Sequence, residues 1–226
     1  MADIYVGGRS GTVALKLLLA LIWRCSQPPY DTDKPTRAWA TLLGLPEPAT
    51  KGARRIAAAM KALAGYDQLA ITPQAGQPNL ITLFQEDGSR DAYEPPGDAY
   101  YRAKATGDAD DLQRQLYFLV PNRLWTEGHI QSLSGPGLVM LLILLAEQGG
   151  EGKPVWFSTT AFPERYHVSS KTRAAGAREL NRRQLLRIEK QPLPISGSTS
   201  IFDPQRFRNV YHLINAALVD HSTDDE

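Results

Sequence analysis

From Thr12 to Cys25 the chain places Leu15, Leu18, Leu19, Ile22 and Trp23 at helical spacing, which predicts a helix with one buried stripe. Gln27-Pro28-Pro29 stops it. Thr36 stands where it can cap a short second helix over 37–43, and Gly44 with Pro46 and Pro48 makes a turn. Thr50 reads as the cap of a third helix over 51–64, closed by Gly65, with Ala53, Ile56, Met60 and Leu63 on its core face. A hairpin follows, 68–72 and 79–85, around Gly76-Gln77-Pro78.

Residues 86–110 change character. Glu86, Asp87, Asp91, Glu94, Asp98, Asp108, Asp110 and the adjoining Asp111 outnumber Arg90, Arg102 and Lys104, and with Pro95-Pro96-Gly97 the stretch reads as a linker. A short helix is expected over 111–116, a strand over 117–120 and helix between 122 and 131. Ser134-Gly135-Pro136-Gly137 opens a long apolar helix that runs to Gln148. The first pattern then returns. Ser158 caps a helix over 159–166, His167-Val168 turn the chain, and Ser169 caps a longer helix over 170–183. Strands are expected over 185–189 and 209–214, with a long loop between them. The caps Thr50 and Ser169 lie 119 positions apart in equivalent places, although the sequences around them are barely alike. The predicted organisation is a first domain over 1–86, an acidic linker over 87–116, a second domain over 117–216 and a disordered acidic tail over 217–226.

Composition narrows the chemistry. Hydrophobic residues are 42% of the 226, enough for packed cores. A formal net charge of +1 excludes a uniformly basic nucleic-acid binder but leaves room for a local patch. Such a patch lies between 165 and 190. There Arg165, Lys171, Arg173, Arg178, Arg182, Arg183, Arg187 and Lys190 meet only Glu179 and Glu189. The following loop carries Ser196, Gly197 and Ser198, then Arg206 and Arg208. In the first domain Lys51, Arg54, Arg55 and Lys61 lie off the apolar face, with no acid between Glu47 and Asp67.

Catalytic constellations are missing from the sequence. His129, His167, His212 and His221 lack metal-ligand spacing, and Gly7 to Thr12 lacks the Gly-Lys-Ser/Thr of a phosphate loop. Tyr100-Tyr101 has no histidine metal cluster beside it, and no Gly-x-Ser-x-Gly elbow occurs. The expectation is a non-enzyme without metal or cofactor. Cys25, the one cysteine, excludes a disulfide framework and reads as a buried inert thiol. The tryptophans Trp39, Trp125 and Trp156 read as packing residues. The apolar runs 13–23 and 138–146 are too short to span a bilayer, and Met1-Ala2-Asp3 is no basic leader, so a cytoplasmic protein without membrane partners is expected.

The segment 158–190, from Ser158-Thr159-Thr160 through Val168, Ser169, Thr172 and Leu180 to Leu185-Leu186, resembles the winged helix-turn-helix of GntR- and MarR-type bacterial regulators. Residues 36–65 fit the same template. His167 and Gln184 stand where the family commonly has glycine, Arg173 where it has an apolar residue, and Ala174 where it often has a basic one. The resemblance implies a mainly α protein with small antiparallel hairpins, two winged helices in tandem, that binds double-stranded DNA. Residues on the first turns of the helix after Ser169 would reach a major groove, and an arginine-bearing wing the flanking backbone or minor groove. The implied contacts are Ser169, Ser170, Lys171, Thr172, Arg173, Arg178, Arg182, Arg206 and Arg208, with Lys51, Arg54 and Arg55 in the first unit. A transcriptional regulator is the first expectation. A plasmid or phage replication initiator on iterated repeats, a partition adaptor, and a winged-helix scaffold for protein contacts stand as alternatives, and a dimer stays open.

Overall fold

The computed structural model describes residues 8–148, 153–193 and 206–218. Among them the chain is mixed α/β, with ten α-helices and two small three-stranded antiparallel sheets. It divides into two compact units, 1–117 with 128–135, and 118–127 with 136–226.

The first unit starts with α1 (Gly8–Arg24), β1 (Asp31–Thr32) and α2 (Thr36–Leu42). A single π turn, Pro48–Gly52, runs directly into α3 (Ala53–Gly65). The strands β2 (Leu69–Thr72) and β3 (Leu80–Leu83) form the hairpin, and β1 pairs with β3 to give the order β1-β3-β2. Burial on α1 goes well beyond one stripe: Val13, Ala14, Leu15, Leu17, Leu18, Ala20 and Leu21 are all buried. Lys16 is buried among them, and its ammonium donates to the Gln131 carbonyl at 2.8 Å, which spares the charge an unpaired burial. Trp23, expected on the core stripe, is 53% exposed. Cys25 is buried, and loss of solvation pushes its thiol up to about 11, in keeping with an inert thiol.

Two expected caps do not form. Thr36 lies inside α2, whose preceding residue is Pro35, and Thr50 lies inside the π turn. The helical run that includes the π turn begins at Pro48, earlier than the spacing predicts, because Glu47 takes a left-handed conformation (φ 48°) and Pro48 presets the first helical φ, while α3 proper starts at Ala53. The Thr50 hydroxyl donates to the Glu47 carboxylate at 3.2 Å instead of capping.

Residues 87–116, expected as a linker, carry helices and belong to the first unit. Tyr93, Ala99 and Ala103 are buried, α4 (Pro96–Thr106) and α5 (Ala109–Arg114) are formed, and Asp108 caps α5 by accepting from the amides of Asp110 and Asp111. Arg102 forks onto Glu94 at 2.8 and 3.1 Å. Asp98 and Asp110 lie exposed on these short helices and the other acids lie beside or at their ends, a distribution that composition alone cannot distinguish from a solvated linker. Residues 117–120 join neither sheet, and the Tyr117 ring packs edge-on to Tyr100. The expected helix over 122–131 is two short ones, α6 (Arg123–Thr126) in the second unit and α7 (His129–Ser132) in the first.

The second unit continues with α8 (Gly135–Gln148), whose residues Leu138 to Leu145 are all buried, as an all-round apolar helix must be. Then come β4 (Val155–Trp156), α9 (Ala161–Tyr166), α10 (Ser170–Arg182), β5 (Leu186–Pro192) and β6 (Phe207–Leu213), and a 3-10 turn closes the described chain. The sheet order is β4-β6-β5, the same as in the first unit. The two-residue strands β1 and β4 are too short for an alternation to be read.

The units share more than element order. Asp67 (φ 55°) and Gln184 (φ 57°) end α3 and α10 in the left-handed conformation. Just beyond them the Gln68 amide donates to the Leu63 carbonyl at 3.1 Å, and the Leu185 amide to the Leu180 carbonyl at 3.0 Å. These are two copies of one helix-ending motif, positions 67 and 184, hence 117 residues apart. With that offset Ala59, Met60 and Leu63 correspond to Gly176, Ala177 and Leu180, and all six are buried. The offset of 119 drawn from the expected caps is therefore replaced by 117, because the π turn lets the third helix of the first unit start differently.

Gln184 carries Cβ–carbonyl repulsion in this conformation, while its backbone is engaged on both sides: its amide donates to the Asn181 carbonyl at 3.1 Å and its carbonyl accepts from the Asn215 side-chain amide at 2.8 Å. Gln184→Gly is expected to stabilise the protein by about 1 kcal/mol, seen as a higher urea midpoint. A lower midpoint would mean that the Gln184 side chain itself holds the helix end.

Candidate nucleic-acid interface

The N-terminus of α10 is set by Ser169, which is extended (φ −63°, ψ 150°) and accepts from the Thr172 amide at 3.1 Å. Their hydroxyls lie 2.9 Å apart. Thr172 is thus engaged in the cap and half-buried. His167 makes the turn before it in a left-handed conformation (φ 51°), and Val168 is buried. Below the helix, Phe157, Phe162, Tyr166 and Tyr211 form an aromatic cluster with ring centroids 4.9 to 5.8 Å apart along its contacts.

Gly176 allows α10 to approach α8. A Cβ there would lie 2.3 Å from the Pro136 carbonyl oxygen and 2.7 Å from Met140 Cβ. The opposite face of α10 is open: Ser170, Lys171, Ala174, Arg178, Asn181 and Arg182 are exposed. The one carboxylate of this helix, Glu179, is buried and pairs with Arg183 at 3.3 Å. The outward face therefore presents three cations, small side chains and no acid.

Arg173 is different. It is half-buried, its guanidinium lies 4.9 Å from the Phe162 ring centroid, and it donates to the Ser158 carbonyl at 3.4 Å. Although grouped by sequence with the contact residues, it takes the inward position of an apolar residue and holds α10 against the segment before α9.

The hairpin of this unit is a seven-pair ladder from Leu186↔Leu213 to Pro192↔Phe207, about 20 Å long. The loop residues 194–205, Ser196 to Ser198 included, lie outside the described residues. Arg206 is exposed at the loop's neck. Arg208 is held: Gln191 accepts from it at 2.7 and 3.0 Å, and its guanidinium sits 4.7 Å from the ring centroid of Trp156. Trp156, expected as a packing residue in the core or between domains, is 53% exposed, and Phe207 is also exposed. Arg187 pairs with Glu189 at 3.0 Å, and Lys190 is exposed. The Trp156–Arg208–Gln191 group was not legible in the sequence, since it depends on β4 pairing with β6.

In the first unit Lys51, Arg54, Arg55 and Lys61 are exposed, and Lys51 pairs with Glu47 at 2.6 Å. Under the 117-residue offset Arg54, Ala57 and Lys61 correspond to Lys171, Ala174 and Arg178, and all six are exposed. Each helix thus carries basic, alanine and basic residues at i, i+3 and i+7, one stripe along one face. The hairpins differ: the turn of the first unit, Pro73 to Asn79, has no cation.

Among the described residues no cluster of His, Cys, Asp or Glu could hold a metal, and no helix is long and apolar enough to cross a membrane. No family model, curated protein or solved structure matches the chain.

Proposed function

We propose that the chain is a sequence-specific double-stranded DNA-binding protein made of two winged-helix units in tandem, with α3 and α10 as recognition helices and the β5–β6 hairpin as a wing. The observation that carries this reading is the outward face of α10, where Lys171, Arg178 and Arg182 are exposed and the only carboxylate is turned inward. Such a face matches a phosphate-lined groove, and its small Ser170 and Ala174 let a helix enter closely. The strand order β1-β3-β2 and β4-β6-β5, with the hairpin following the third helix of each unit, further supports it. Arg206 and Arg208 would place cations on the wing.

Transcriptional regulation remains the first role proposed. The shared stripe on two helices of one chain favours a second, a plasmid or phage replication initiator on repeated sites. Selection from genomic fragments separates them: an operator beside a promoter supports the first, direct repeats beside an AT-rich segment the second.

The DNA reading is tested by fluorescence anisotropy with random-sequence duplex at several salt concentrations. A log–log slope of roughly −4 to −8 is expected, for about five to nine neutralised phosphates. Absence of duplex binding at low salt would leave the basic faces as solvated surface and return the protein-scaffold alternative.

A further inference from the structure

The equivalence of the two basic stripes has a consequence for the DNA sequence. It rests on the DNA-binding reading above. Arg54 and Lys171 occupy one place on the two helices, Ala57 and Ala174 the next, and Lys61 and Arg178 the third, fixed by helix ends that superimpose in hydrogen-bond pattern 117 residues apart. The hydrogen-bonding ends of arginine and lysine both suit the O6 and N7 acceptors of guanine, and an alanine methyl suits the methyl group of thymine. The spacing i, i+3 puts these two side chains about 5 Å apart along the helix axis, within reach of neighbouring base pairs. The third residue lies about 10 Å from the first, where a straight helix leaves the curved groove floor and meets phosphate.

We propose that the two units read two copies of one short base pattern. In each copy a guanine is bound by Arg54 or Lys171, and an adjacent thymine methyl packs on Ala57 or Ala174. Lys61 and Arg178 hold the phosphates. Arg55 of the first unit and Thr172 of the second correspond in position but differ in chemistry, and Thr172 is engaged by the Ser169 cap, so the copies are related and not identical at the remaining positions.

The test starts with selection of duplexes by the full chain from a random pool. Two copies of a motif containing adjacent G and T are expected, whatever the spacing between them. Each thymine of the selected site is then replaced by deoxyuridine, which removes only the 5-methyl group. At the pattern thymine affinity is expected to fall about fourfold per copy, the worth of one buried methyl. Ala174→Gly is expected to abolish the difference between thymine and deoxyuridine in one copy only, and Ala57→Gly in the other. Circular dichroism checks that each variant stays folded. A single copy, two unlike motifs, or indifference of the wild type to deoxyuridine would overturn the proposal while random-duplex binding leaves the DNA reading intact. Loss of all duplex binding would overturn both.

Discussion

Replacing Arg178 and Arg182 together by alanine is expected to flatten the log–log salt dependence of duplex binding by about two. The same change should weaken binding roughly sixty-fold at 0.1 M salt, since each phosphate contact contributes a slope near 0.9. The effect should be equal on selected and random DNA, because phosphate contacts carry no base information. Folding should survive. Both side chains are exposed, and alanine is the better helix former, against a loss of a few tenths of a kcal/mol from removing Arg182 at the helix C-terminus. A matched control removes the same formal charge elsewhere: Arg102 and Arg123 are each ion-paired, with Glu94 at 2.8 Å and Glu127 at 3.0 Å. The Arg102→Ala/Arg123→Ala protein should keep nearly the wild-type slope. An Arg178→Ala/Arg182→Ala protein indistinguishable from wild type would make the outer face of α10 ordinary solvated surface.

Gly176→Ala should cost roughly 1–3 kcal/mol of stability, although alanine within a helix is ordinarily worth about 1 kcal/mol more than glycine. The new methyl would meet the Pro136 carbonyl oxygen at 2.3 Å, its carbonyl carbon at 2.9 Å and Met140 Cβ at 2.7 Å. Two of these atoms are backbone in the first turn of α8 and cannot swing aside as a side chain end can. The two helices must separate, and α10 then shifts relative to its hairpin, so duplex affinity should fall with stability. In the first unit the corresponding residue is Ala59, which is buried with its Cβ in place. Gly65→Ala, where nothing lies within 4 Å of the new methyl, should be neutral or stabilising. Thermal denaturation of the two variants separates the effects. A Gly176→Ala protein as stable as wild type would mean that α8 and α10 do not require this close approach.

Three residues singled out in the sequence have definite places in the structure. His167 and Gln184 both take positive φ, a conformation that glycine adopts more readily than either. Arg173 is half-buried and lays its guanidinium over Phe162. The third helix of each unit and the hairpin behind it were legible because their apolar residues keep a strict period and glycine, proline or a serine cap marks their ends. The Ser169 cap is made as expected, whereas that of Thr50 is displaced by the π turn. Net charge along 165–190 was legible too, but not its partition into outward Lys171, Arg178 and Arg182, a buried Glu179 and an engaged Arg173.

By itself the sequence determined α1, α2, α3, α8, α9 and α10, the two hairpins, the burial of α8 and the concentration of positive charge, because each follows from periodicity or from a residue's own backbone and charge, whereas α4 within the expected linker and the break between α6 and α7 were not legible. Only the tertiary structure decided where β1 and β4 attach, that residues 87–116 pack into the first unit, and that Asp67 and Gln184 mark equivalent places 117 residues apart. Those features arise from pairing between residues distant in sequence. A two-residue strand or a half-buried arginine has no local signature, and its position is fixed by the partner it finds when the chain is folded.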